Sequence, residues 1–546
     1  MSEKTTANGA GLADVANSMA GLNISDHTSE TQSALAEKID NLIQAAKTAV
    51  LQAQQAKTLV EGTKTISSDA IIEICGLRSK ANGLEEAANA LGGATERSII
   101  EHVISLGDQR ETIINSLISH FDKRIMTMTR DILDNSDNGA CVLWRIAEKC
   151  YMEAIRTSGK LHSDDYFIPL EETYLESPFD PGFESEEYYE PKIEQRKRRE
   201  RERWIDFWVR VLSNCPGGPT LFYPPAAATS LKWPFQGIPR YLFRVFDSES
   251  SGRNDDTVVA STMSVCKSPG RKNMDLLSLQ PREASKMLYS HSNKPCFGGV
   301  PSDNLMSWSS WLIFVIQYAI WRSHNVTFWD HPDVRICVVD TSKFPPGQFA
   351  RDMWLLRAYR NTARLRDDQD RFFRFRLENS DYDNGEYFSQ GIVNHGGRSC
   401  TFSLHSLIRS GLYSLYPEFA DVQARNQWTN RVRQLRLGWL YEEQSTPRQD
   451  LECAFRMARE CFRTFDVRDL ALLLLSFKNR KLQARLLYDY PGEVDPSGPV
   501  EVCRYQRVAR ATRQGDHAWG ARGLGSFWRL LPSYDIESVA DIFECT

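Results

Sequence analysis

The chain has 546 residues, 41% hydrophobic and 25% charged, with a formal net charge of -5. This length exceeds one ordinary core and predicts two or three domains, and the composition is that of a soluble globular protein. The near-balanced charge excludes a global pull toward nucleic acid or an anionic membrane. Residues 1–30 lack the apolar core of a signal peptide, and the longest strongly apolar run, 311–321, contains Gln317 and is far short of a membrane span. The twelve cysteines include no CxxC pair, which argues against a zinc ribbon or thioredoxin motif and for a reduced, intracellular protein, cytoplasmic or nuclear.

In chain order, residues 1–30 are rich in Ser, Thr, Gly, Asn and Ala and predict a disordered tail. Residues 31–157 change texture. Leu35, Ile39, Leu42 and Ile43 repeat at helical spacing, and helical patterns follow over 67–91, 95–104, 109–133 and 141–157. Gly62, Gly92-Gly93 and Gly107 punctuate them. No a/d repeat persists, so the expectation is an α-helical bundle or short coiled-coil hairpin, offering a surface to a protein partner. Residues 158–195 are acidic and interrupted by Pro169, Pro178, Pro181 and Pro191, the composition of a linker. Residues 196–232 open on Arg196-Lys-Arg-Arg-Glu-Arg-Glu-Arg203, which reads as a solvated helix face or as an anion-binding or import patch.

From 233 to 422 the texture is α/β, with strands predicted at 240–246, 257–263, 334–339, 372–376 and 387–393, and helices at 305–322 and 349–366. A helical extension follows over 423–490, in segments 432–442, 450–463 and 467–487, and residues 491–546 form a tail rich in Pro, Gly and Arg. His291, His324, His331, His395 and His405 show no metal-ligand spacing, and no Walker loop or GxGxxG is present. No metal is therefore expected.

Three segments carry the chemistry. Tyr241-Leu-Phe-Arg244-Val-Phe246 is an apolar strand with one Arg, which needs a partner or solvent. Ser307-Trp308-Ser309-Ser310 precedes an apolar helix, where any one Ser is equally an N-cap. Asn384-Gly385-Glu386-Tyr-Phe-Ser-Gln-Gly391 places a carboxylate at the head of a strand, a position that also suits a solvent-facing residue. Cleaving NAD at its nicotinamide ribose passes through an oxocarbenium-like transition state, as in glycoside hydrolysis. Such a reaction needs a guanidinium for the pyrophosphate, a carboxylate for the ribose, and a group that fixes that carboxylate.

In this order the three segments resemble the ADP-ribosyltransferase superfamily, in its Arg-Ser-Glu branch. Tyr-Leu-Phe-Arg-Val, Leu-Met-Ser-Trp-Ser-Ser and Gly-Glu-Tyr-Phe-Ser-Gln-Gly-Ile are also similar to an uncharacterised domain family of filamentous fungi. The resemblance implies an α+β chain, with an ADP-ribosyltransferase-like split mixed sheet over 233–422 and α-helical regions on either side. By the same resemblance, Glu386 would be catalytic and Arg244 would bind NAD. Ser307 would hydrogen-bond Glu386, with Ser309 as the third residue of the Ser-x-Ser segment, and Tyr382 and Asn384 would contact the acceptor. NAD is then a substrate and the acceptor a macromolecule, of protein class. Trp308 at the centre of the Ser-x-Ser segment and Asn384 two before Glu386 depart from the family pattern. The long interval from Ser307 to Glu386, with Phe344-Pro-Pro-Gly347, suggests an insertion over the cleft. Two alternatives stay open: an NAD glycohydrolase on the same fold, and a non-catalytic scaffold with a degenerate domain.

Overall fold

The structure is a computed structural model that describes residues 27–61, 66–135, 142–168, 186–223, 238–266, 274–293, 303–324, 333–440, 444, 446–480, 501, 504 and 505. The expected tail at 491–546, apart from residues 501, 504 and 505, lies outside them, as do residues 1–26. The chain divides into two compact units, residues 1–218 and 219–546. None of the described helices is long and apolar enough to cross a membrane.

The first unit is helical: His27–Glu61, Ser68–Ser105, Thr112–Asp134, Val142–Ile155 and Glu186–Asn214. The second of these runs through Gly92-Gly93, where a break was expected. Each glycine costs a helix about 1 kcal/mol relative to Ala, too little to end one already nucleated. Ser67 caps that helix by accepting from the Ala70 N–H at 3.1 Å. The expected linker ends early, because residues 186–195 already belong to the last helix; residues 169–185 lie outside the described set. Within that helix the Arg run pairs with itself, Arg196 to Glu200 at 2.9 Å and Arg198 to Glu202 at 3.2 Å. That is the geometry of a solvated i,i+4 face. The opposite face buries Trp204, Phe207 and Trp208, with Trp204 stacked on Phe207 and donating its indole N–H to Leu161 O at 2.9 Å.

The second unit is α+β. Its strands are β1 (Tyr241–Phe246), β2 (Arg253–Asn254), β3 (Val258–Ala260), β4 (Leu305–Ser309), β5 (Arg335–Asp340), β6 (Ala350–Arg351), β7 (Glu386–Gln390), β8 (Ile392–Asn394) and β9 (Ser399–Ser403). Six form one sheet in the order β6-β7-β4-β1-β5-β9 and three form another, β2-β3-β8. Every pairing between these strands is antiparallel, where a mixed sheet was expected. Alternation along each strand sorts side chains to two faces. Leu242, Phe246, Trp308, Cys337, Val339 and Tyr387 join Val259 and Val393 in one core. On the other side, Phe243, Ile336 and Val338 pack with helices Leu312–His324, Arg448–Cys461 and Val467–Leu475. Leu305 and Phe388 pack with helices Pro281–Ser292, Asp352–Ala363 and Asp367–Glu378.

Several expectations need correction. Residues 305–322 are not one helix: 305–309 form β4, and the helix begins at Leu312. Trp308 buries its ring in the core shared by the two sheets and donates its indole N–H to Ser389 Oγ at 2.8 Å, a contact distant in sequence. Residues 372–376, expected as a strand, lie in helix Asp367–Glu378. Three acids in its first turn suit the helix dipole, and Gln369, Phe373 and Leu377 share its inward face at four-residue spacing. Part of the interval between Ser307 and Glu386 belongs to the sheet itself. It contains β5, which pairs β1 over six positions, and Phe344 of the Pro-rich turn is buried in the core between the sheets. The helices of the expected C-terminal extension build the core against the sheet.

Replacing Trp204 with Ala removes one of the largest fully buried side chains described in the helical unit together with its hydrogen bond. The variant should unfold with about 3–5 kcal/mol less stability, measured by denaturant titration of the full chain with hydrogen exchange over residues 204–214.

Candidate active site

The site starts where the large sheet opens. β4 and β7 stay in register over five pairs, from Leu305 opposite Gln390 to Ser309 opposite Glu386. β1 and β4 share one paired position, Phe243 opposite Ser309. Beyond it Arg244 stands in for the missing ladder, its Nη1 donating to Ser307 O at 2.8 Å and its Nε to Asn254 Oδ1 at 3.0 Å. Burial pushes this guanidinium down to about 10, so it stays charged at neutral pH. A delocalised, weakly hydrated cation with five fixed donors is the side chain suited to such a place.

Glu386 is held from two directions. Behind it, Gly385 takes φ 62°, a conformation that side-chain-bearing residues rarely adopt. A Cβ there would come within 2.5 Å of Ser310 Oγ and the Trp311 ring. Ser309 Oγ donates to Asn384 O at 2.7 Å and accepts from the Trp311 N–H at 3.0 Å. One hydroxyl thus starts the next helix and clasps the turn ahead of Glu386. The Ser310 N–H and hydroxyl both reach Gly385 O, at 2.8 and 3.2 Å. In front, Arg376 Nη2 pairs with Glu386 Oε2 at 3.2 Å and also with the buried Asp352. Burial works to lower the Arg376 pKa, but the carboxylates of Asp352 and Glu386 raise it beyond the usual arginine range.

Ser307 does not hold Glu386. It lies opposite Phe388 in the ladder, and its Oγ is 2.8 Å from His291 Nε2. The other ring nitrogen, Nδ1, is 2.9 and 2.8 Å from the two oxygens of Asp303, and Asp303 Oδ1 also accepts from the Leu305 N–H at 3.0 Å. The bond to the catalytic carboxylate that the family resemblance implied for Ser307 is therefore made to a histidine instead. His291, Asp303 and Arg376 were missed in the sequence. They come from a helix end, the residue two before β4 and a segment expected to be a strand, and no spacing links them.

All six residues singled out in the sequence, Arg244, Ser307, Ser309, Tyr382, Asn384 and Glu386, line one cavity of about 370 Å³, within the size range of ligand sites. Phe314 and Tyr318 of helix Leu312–His324 line it, as do Phe375 and Arg376 of helix Asp367–Glu378. Trp428 and Thr429 also border it. Arg433 lies over the Tyr382 ring, 4.8 Å from its centroid, and donates to its hydroxyl at 3.2 Å. Asn384 Nδ2 donates to Thr429 Oγ1 at 3.3 Å, while its Oδ1 and the Nε of Arg376 are buried without a partner. Leaving a buried polar atom unpaired costs about 1–3 kcal/mol, a cost that a bound polar ligand would relieve. No cluster of three or more His, Cys, Asp or Glu among the described residues is placed to hold a metal ion.

Residues 237–395 match a family described as a domain of unknown function, DUF7587. That span holds β1 to β8 and all six lining candidates. No curated protein and no solved structure matches the chain.

Gly385→Ala should destabilise the protein by more than the roughly 1–3 kcal/mol of a strained backbone, because its Cβ also collides. Gly397 has φ 76°, and a Cβ added there would meet nothing within 4 Å. Gly397→Ala should therefore cost the backbone strain alone, and the difference between the two melting temperatures measures the tightness of the Glu386 turn.

Proposed function

We propose that the domain over residues 233–422 is ADP-ribosyltransferase-like, and that it cleaves NAD in this cleft and transfers ADP-ribose to a macromolecular acceptor, of protein class. The observation that carries this reading is the convergence of the Arg, Ser and Glu segments on one cleft from three neighbouring strands, β1, β4 and β7.

The roles follow from the chemistry. Two of the three guanidinium nitrogens of Arg244 are engaged by protein oxygens, leaving Nη2 for phosphate oxygens. Glu386 bonds a ribose hydroxyl and stabilises the positive charge that develops as nicotinamide leaves. Arg376, rather than Ser307, fixes that carboxylate. The aromatic walls at Phe314, Tyr318 and Phe375 suit the flat rings of the two bases. Asn384 favours a second reading, hydrolysis. It is a neutral amide tied to Thr429, with no carboxylate at that position to activate a protein nucleophile, so water becomes the acceptor.

With labelled NAD, Glu386→Gln should lower nicotinamide release about 100- to 1000-fold while calorimetry still detects NAD binding. Equal release by wild type and variant would overturn the assignment of Glu386, and no NAD binding by wild type would favour a scaffold. Labelled protein marks transfer, and free ADP-ribose alone marks hydrolysis. Arg244→Ala should weaken NAD binding roughly 10- to 100-fold, the loss of one charge-assisted contact.

A further inference from the structure

Ser307, His291 and Asp303 form a chain of hydrogen bonds that the NAD reading does not use. Asp303 presents both carboxylate oxygens to His291 Nδ1, at 2.9 and 2.8 Å. A carboxylate only accepts, so Nδ1 donates to it, and in the neutral ring this tautomer makes Nε2 the acceptor. That acceptor faces Ser307 Oγ at 2.8 Å, so the hydroxyl donates to it. A serine hydroxyl against an imidazole nitrogen, with a carboxylate orienting the imidazole, is the arrangement that activates a serine nucleophile.

The burial pattern follows the same order. His291 and Asp303 are 3% and 8% exposed, while Ser307 is the one residue of β4 that is not buried, and it borders the cleft. A histidine clip between helix and strand would serve equally with the serine turned away from the cavity. Here the proton acceptor is shielded and the hydroxyl is reachable. Two fixed elements hold the geometry: His291 sits in the last turn of helix Pro281–Ser292, and Asp303 is tied by the Leu305 N–H to the start of the strand that carries Ser307.

We propose that Ser307 is the nucleophile of an acyl-transfer reaction in this cleft, with His291 as general base and Asp303 as the positioning residue, acting on small esters with an apolar or aromatic acyl group. Ser307 Oγ bonds to the carbonyl carbon as its proton passes to His291 Nε2. The tetrahedral intermediate collapses, the carbon–oxygen bond to the alcohol breaks, and His291 returns the proton to the leaving alkoxide. Water then attacks the acyl-serine by the same route and releases the acid. The Arg244 guanidinium, already bonded to the Ser307 carbonyl, is the cationic donor beside the nucleophile for the oxyanion. The aromatic walls receive the acyl group.

This inference goes beyond the NAD reading and needs neither NAD nor Glu386. The full chain, without NAD, is treated with a fluorophosphonate probe and its adduct mapped by peptide mass spectrometry; p-nitrophenyl ester hydrolysis is followed in parallel. A single adduct on Ser307 is the expected result. Ser307→Ala should lose the adduct and at least about 100-fold of the ester turnover, and His291→Gln should lose about 100- to 10,000-fold, the range for general-base catalysis. Asp303→Asn should lower kcat with little change in KM and shift the pH profile, which a merely structural carboxylate would not do. Wild-type protein that takes up no probe, takes it up at another serine, or hydrolyses the ester as fast as Ser307→Ala overturns the proposal. The wild-type map stands whether or not any variant folds.

Discussion

The site depends on the place where a guanidinium replaces a strand ladder. β1 and β4 pair at Phe243 and Ser309, and Arg244 then bridges the gap through Ser307 O. Without a donor there, the Ser307 carbonyl would lose its side-chain partner. With an alkyl side chain the gap would close or flood. A long, permanently charged side chain satisfies the backbone and leaves a concave surface open to solvent. The same residue therefore maintains the opening in the sheet and puts positive charge on its wall.

The hydroxyl cluster divides its labour in a way that follows from strand alternation. Ser307 and Ser309 point to the same side of β4, but their ladder partners differ, Phe388 for one and Glu386 for the other. Ser309 and Ser310 are spent on the backbone of the Asn384-Gly385 turn. Ser307, two pairs further from the turn, meets a histidine from a helix. The carboxylate is left to Arg376, whose second partner, Asp352, anchors it in the interior. Glu386 is thus oriented by charge, and the hydroxyls orient the chain that delivers it.

How much was legible in the sequence differs by scale. The strands at Arg244 and Glu386 were readable because each is an apolar run ended by turn residues, and the helices of the first unit because their apolar spacing is periodic. Residues 305–309 were misread because the apolar run after Ser310 extends the helical texture backward. The ladder with β7 and the burial of Trp308 against Ser389, contacts across sequence, separate strand from helix. Residues 373–376 alternate Phe and Arg and so mimic a strand, until the acids at 367, 368 and 370 are read as a helix start. Strand β9 went unseen: its Ser-Cys-Thr-Phe-Ser is too short and polar to signal itself, and pairing with β5 makes it a strand. The site residues on strands were found by type and order. Their partners His291, Asp303 and Arg376 were not, since what unites them is the third dimension alone.

The family match ends at residue 395, yet the interior does not. Phe402, Leu407, Leu435, Phe455 and Leu474 share one core with Phe243, Ile316 and Val338, and Trp428 and Thr429 border the cleft. The stretch marked out by the family match therefore shares its core with helices beyond its border. Cut out at its matched borders, it would carry the three chemical segments but lack the edge strand β9 and the helices Arg448–Cys461 and Val467–Leu475 that cover one face of its sheet. Inheritance of the segment in another protein would require that protein to supply its own helices for that face, and whatever it supplied would also rebuild one rim of the cleft. The shape of the cleft's rim thus depends on chain that lies beyond the matched stretch.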